Sequence, residues 1–123
     1  MKQILIVDDS PVIRKVARRI LEGLRFQTAE ADDARQGLEA CAFLMPDAIF
    51  VDGRMPVMDG ASFVKELRKM PGGDKPLVVV VMSETDLAQT ARARHSGADD
   101  IMLKPFDKAI MTAKIDELGL LAA

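Results

Sequence analysis

The sequence holds one cysteine, Cys41, and one histidine, His95. A lone cysteine excludes an internal disulfide and a cysteine-built metal cage. Charge of one sign is also missing: 17 basic residues stand against 19 acidic, a net charge of −2. Nothing in that balance points to nucleic acid or to a membrane surface. No apolar run approaches the roughly 18 residues of a membrane span, and Met1-Lys2-Gln3 enters a strand pattern, not a signal-peptide core. Repeats, linkers and low-complexity stretches are absent too. What is there is 123 residues, 49% hydrophobic and 29% charged, as expected of one cytoplasmic globular domain with a single core.

Periodicity divides this chain cleanly. "QILIVD" is a short continuous apolar run, the mark of a strand buried on both faces. Ser10 and Pro11 then supply a helix cap and a first-turn proline. Val12, Ile13, Val16, Ala17, Ile20, Leu21 and Leu24 recur at helical spacing, with Arg14, Lys15, Arg18, Arg19 and Glu22 filling the opposite face. "QTAEA" is a weak strand. A helix from about Asp33 to Leu44 buries Ala34, Leu38, Cys41 and Met45 before Pro46 stops it. "DAIFVD" is a second strong strand; Ala61 to Met70 is helical, with Phe63, Val64 and Leu67 inward. "PLVVVVM" is the most strand-like run, and a helix capped by Thr85 or Asp86 reaches about Ser96, ended by Gly97. "DIMLK" and a closing helix with Ile110, Met111, Ile115 and Leu118 on its apolar face complete the pattern. Strand and helix thus alternate five times. Such alternation predicts an α/β fold, a flavodoxin-like doubly wound three-layer sandwich whose parallel sheet has the order 2-1-3-4-5.

In that fold the carboxyl ends of all strands share one edge. Strand 1 ends in Asp8-Asp9, strand 3 in Asp52, strand 4 in Ser83 and strand 5 in Lys104. Three carboxylates brought together repel one another, and a divalent cation plus a lysine remove that cost. Mg²⁺ suits the donors, which are hard oxygens; zinc or iron would call for histidine or cysteine. A carboxylate beside magnesium and lysine is a nucleophile for phosphoryl transfer, with charge on the transferring group met by metal, Lys104 and the Ser83 hydroxyl. Asp52 is the expected nucleophile. It stands alone at the central strand end, and Gly53 beside it is expected to leave room.

"LIVDDS", "VDGRMPVMDG", "VVVVMSE" and "LKPF", in this order and spacing, resemble the receiver domain of two-component response regulators over essentially the whole chain. The resemblance implies that Asp52 is the phosphoacceptor, loaded from a histidine kinase or histidine phosphotransfer protein. It implies a Mg²⁺ held by Asp9, Asp52 and the Arg54 backbone carbonyl, with Asp8 acting through water. Ser83 would be the switch hydroxyl, Lys104 its cation, and the Lys104-Pro105 bond cis. Three positions depart from the usual pattern. Ile101 stands where receivers usually carry an aromatic switch residue, Glu84 is bulky and anionic where a small residue is usual, and Arg54 can reach over the site. Arg54, Glu84 and Thr85 are therefore expected to modulate phosphate lifetime.

Nothing follows the fifth helix except "GLLAA", so a single receiver domain without an output domain is expected. It would be a monomer or weak dimer signalling to an effector protein through helix 4, strand 5 and helix 5, with Ala88, Ala91, Arg92, Ile101, Lys108 and Met111 on that face. The alternatives are a constitutive receiver-like binding module and a small aspartyl-phosphate phosphatase. Several residues have simpler readings. Asp59-Gly60 marks a turn and helix start, Cys41 is inert core, and Met55 and Met58 pack. His95 is a lone histidine near a helix C-terminus, where the dipole welcomes a cation, and no catalytic or ligand role is expected of it. The stripe Arg14, Lys15, Arg18, Arg19 is a solvated face with a possible second use in contacting a phosphodonor.

Overall fold

The computed structural model describes residues 1–83 and 87–121. The elements run β1 (Gln3–Val7), α1 (Pro11–Gly23), β2 (Gln27–Ala31), α2 (Ala34–Phe43), β3 (Ala48–Asp52), α3 (Gly60–Arg68), β4 (Leu77–Met82), α4 (Leu87–His95), β5 (Asp100–Leu103) and α5 (Lys108–Glu117). Every strand pairing is parallel and the order is β2-β1-β3-β4-β5, as the alternation predicts. Capping sets the helix starts. The side chains of Ser10, Asp33, Asp59 and Asp107 each accept from the backbone N–H three residues on. The expected caps Thr85 and Asp86 lie outside the described residues. Among the described residues no helix is long and apolar enough to cross a membrane.

Strand side chains alternate between two faces. Leu5, Val7, Ile49, Val51, Val78 and Val80 pack under α2, α3 and α4 through Ala34, Cys41, Phe63, Val64, Leu67 and Ala93. Ile4, Ile6, Ala48, Phe50, Val79, Val81 and Met102 pack under α1 and α5 through Ala17, Leu21, Met111 and Ile115. Burial pushes the Cys41 thiol up to about 11, in keeping with an inert core residue.

Four expectations are corrected. Val12 is 68% and Val16 39% exposed, because they flank the apolar arc of α1 and miss the sheet. Ile110 is likewise 45% exposed. Met111 is fully buried against the sheet and cannot belong to an exposed face. Arg14 does not simply face water: its side chain is largely covered and pairs with Glu30 of β2, whereas Arg18 pairs with the same Glu30 from the exposed face. Arg68 went unread in the sequence, yet its guanidinium donates to the carbonyls of Gly97, Gly73 and Pro76 and to Asp99, pinning the end of α3 to the α4–β5 turn.

Candidate functional site

Register explains how distant residues meet. Ile6 pairs with Phe50, Asp52 with Val81, and Val81 with Met102. Ile6, Phe50, Val81 and Met102 all lie in the core under α1 and α5. With a period of two, Asp8, Asp52, Ser83 and Lys104 follow them on the same face at the carboxyl edge. The extended pairing continues there: the Asp8 amide donates to the Ala31 carbonyl at 3.1 Å and the Lys104 amide to Met82 at 2.7 Å. The Lys104-Pro105 bond is cis, as expected.

Carboxylate oxygens of Asp8, Asp9 and Asp52 lie within 4.8 Å of one another. Asp8 and Asp52 are buried, while Asp9 is exposed on the rim. Lys104 Nζ lies 3.0 Å from Asp8 Oδ2 and 3.3 Å from Asp52 Oδ1. Asp52 is therefore not without protein partners; its Oδ1 also faces the Arg54 amide at 3.4 Å. These contacts do not satisfy it. Burial, then the neighbouring charge of Asp8, push the Asp52 carboxyl up, against the pull of Lys104 and the Arg54 amide. Burial would lower Lys104, but Asp8 and Asp52 outweigh it and hold the ammonium charged, with its pKa raised.

The donor set fits a hard divalent cation: three carboxylates, no histidine and no thiol, and a central acid short of positive charge. Asp8 is already engaged, accepting from the Ser10 amide at 2.9 Å besides Lys104. Asp9 has an exposed carboxylate free to turn to an ion.

Ser83 directly follows β4 and is exposed on the same edge. Arg54 is exposed and lines a cleft of about 420 Å³ between the β3–α3 loop and α4, with Met55, Val80, Met82 and Arg92. Met55 is buried and Met58 half-buried against the core, so both pack as expected. Ile101 is half-buried and packs on the other face, toward the α2, α3 and α4 core. Glu84 and Thr85 lie outside the described residues. Asp59 caps α3 and also pairs with Arg92 of α4 at 2.6 Å, a contact that sequence spacing cannot reveal across 33 residues. Val57, in the same loop, is fully exposed with φ +71°, an uncommon conformation for a β-branched residue.

A family model for the response regulator receiver domain matches residues 4–116. The chain belongs to the receiver-domain family of response regulators. Among curated relatives it is 32% identical over 114 residues to the DNA-binding response regulator MtrA of Mycolicibacterium smegmatis, covering 93% of this chain and 49% of that protein. The KDP operon transcriptional regulatory protein KdpE of Escherichia coli is 32% identical over 115 residues, 94% of this chain and 50% of that one. The chain thus spans about half the length of the curated relatives it matches. Among solved structures, the chemotaxis protein CheY4 of Vibrio cholerae superposes with a TM-score of 0.91 at 27% identity, covering 95% of this chain and 98% of that one. The receiver domain of the sensor histidine kinase PA1611 from Pseudomonas aeruginosa superposes at 0.86 and 26% identity, covering 94% and 95%; it carries a magnesium ion coordinated in its active-site cleft.

Proposed function

We propose that this receiver domain is a phosphoacceptor switch of a two-component system or phosphorelay, with Asp52 as the acceptor. One observation carries the reading: Asp52 is buried at the strand end, clustered with Asp8 and Asp9 and within 3.3 Å of the Lys104 ammonium. The donor is the phosphohistidine of a kinase or phosphotransfer protein. An Asp52 oxygen forms the new P–O bond while the P–N bond breaks, and the departing imidazole nitrogen keeps the electron pair and takes up a proton. Lys104 offsets charge on the phosphoryl oxygens, and the Ser83 hydroxyl donates to one of them.

Asp9, Asp52 and the Arg54 carbonyl would hold Mg²⁺ directly, with Asp8 reaching it through water because its oxygens already serve Lys104 and Ser10. Bound there, the ion supplies charge neutralisation and polarises a phosphoryl oxygen. Arg54, Glu84 and Thr85 modulate how fast water removes the phosphoryl group.

Output passes to an effector protein that distinguishes the two states of the surface made by α4, β5 and α5. Ala88, Ala91, Arg92 and Lys108 are exposed there, and Leu87, Leu103 and Ile110 add apolar area that the sequence reading does not place on this face. Arg94 and Lys114 both pair with Asp100, tying the three elements into one unit. Intact mass after treatment with acetyl phosphate and Mg²⁺ tests the acceptor. One added phosphoryl group is expected in the parent chain and none in Asp52→Asn. Equal modification of both proteins would remove Asp52 from its role.

A further inference from the structure

Within the acid cluster the two β1 carboxylates are held differently. Asp8 is fixed on its own account: its amide donates to Ala31, and its carboxylate accepts from Ser10 and pairs with Lys104. Asp9 is exposed, and among the described residues no hydrogen bond or ion pair fixes its carboxylate. The starting point of that side chain is set in part by the peptide plane joining Asp8 to Asp9, which ends at the Asp9 Cα and moves as one body. The oxygen of that plane is the Asp8 carbonyl.

Arg14 grips this oxygen. Its Nη1 donates to the Asp8 carbonyl at 2.7 Å while its Nε donates to Glu30 Oε1 at 3.0 Å. The Arg14 side chain is only 17% exposed, and Glu30 is steadied in turn by Arg18 at 3.2 Å. Arg18 also pairs with Glu22, which accepts from Thr28. One planar fork thus spans from β2 to the first peptide of the acid turn, a geometry that a lysine cannot reproduce.

We propose that Arg14 is a positioning residue for the divalent-cation site: by fixing the Asp8–Asp9 peptide it aims the Asp9 carboxylate at the ion shared with Asp52. The inference rests on the cation reading above. Groups that orient a metal ligand without touching the metal typically change affinity 10–100-fold.

The test is Mn²⁺ binding to the whole chain, followed by the EPR signal of the free ion, with urea unfolding on each variant. Arg14→Met is expected to bind about 10-fold more weakly while remaining folded. Arg14→Lys, which keeps the charge but not the fork, should recover only part of the loss. Lys15→Met, which removes one charge from the exposed side of the same helix, should bind like the parent. In the Asp9→Asn background Arg14→Met should cost nothing further, since its effect runs through Asp9. Full recovery in Arg14→Lys, or additive losses in the double variant, overturns the positioning role. Parent protein that fails to bind, or Asp9→Asn binding as well as the parent, would instead sink the cation reading itself.

Discussion

The stretch from Ile49 to Gly60 contains the same dipeptide twice, Asp52-Gly53 and Asp59-Gly60, seven residues apart. Their surroundings give them opposite physics. Asp52 closes a buried strand beside another carboxylate, and its pKa is pushed up. Partial burial would also raise Asp59, but Arg92 and the Ser62 amide reverse that and hold it below the usual carboxylate range. The glycines divide the other way. A Cβ on Gly53 would meet only ordinary contacts at 3.4 Å and beyond, whereas one on Gly60 would lie 2.5 Å from the Asp52 carbonyl oxygen. In the first pair the acid is the specialised member, and in the second it is the glycine. A residue's job is set by what the fold packs against it, so identical short motifs can serve chemistry in one place and architecture in another.

The largest expected effect comes from breaking the second pair at its glycine. In Gly60→Ala the new methyl meets backbone that cannot rotate away, so the start of α3 or the end of β3 must shift. A loss of about 1–3 kcal/mol in urea unfolding is expected, as for other overpacked sites. Acetyl-phosphate labelling of Asp52 should slow as well, since the displaced carbonyl belongs to the acceptor. Parent-like stability and labelling would show that the loop is looser than this packing implies.

Next comes the acid of that pair. Asp59→Ala removes a helix cap, a loss of about 1 kcal/mol, and with it an ion pair that solvent screening keeps weaker than the cap. Asp59→Asn keeps the cap and loses only the pair, so the two variants separate the contributions. The pH dependence has a definite sign. Because the folded pKa of Asp59 is depressed, its stabilisation is complete above the pKa of the unfolded chain and fades as pH falls through the lower folded value. The parent's advantage over Asp59→Asn should therefore hold near neutrality and close in strong acid. A gap that persists in acid would mean that the charge of Asp59 is not its source.

Asp52→Asn should act in the opposite direction, by a smaller amount. With EDTA present near neutrality it should raise the urea midpoint, since it removes a charge that burial and Asp8 both disfavour. The native state holds the Asp52 proton more tightly than the unfolded chain does. The gain should therefore disappear below both pKa values, where the parent is already neutral. A lowered midpoint would indicate that the Lys104 contact outweighs the crowding of acids.

Much of this architecture was legible beforehand, for identifiable reasons. Apolar runs alternating with helical periods fix a parallel sheet, and the period of two brings strand-end residues to one edge, so Asp8, Asp9, Asp52 and Lys104 could be grouped without coordinates. What stayed hidden depends on register between elements. Arg14 looked like part of a wet stripe because its partner Glu30 sits on a strand of weak signal. Val12 and Val16 looked buried because periodicity marks an apolar arc without saying how much of it the sheet covers. Periodicity places Met111 on the apolar face of α5, where it is buried, and that same rotation removes it from the output face, for which it is also a candidate. Arg68 hid most completely, since four of its five hydrogen bonds go to backbone carbonyls that sequence does not distinguish.

The smallest effect is the most discriminating. The sequence suggests that Gly53 is there to leave room beside the acceptor. In the structure a Cβ at this position would instead face Val80, the Val81 carbonyl and Met82 of β4, and the backbone is not in the left-handed region that favours glycine. Gly53→Ala should therefore leave stability unchanged or raise it by about 0.5 kcal/mol, because alanine restricts the unfolded chain more than glycine does. Acetyl-phosphate labelling of Asp52 should proceed at the parent rate. If Gly53→Ala instead slows labelling as much as Gly60→Ala does, both glycines serve the acceptor, and the division of labour between the two pairs does not hold.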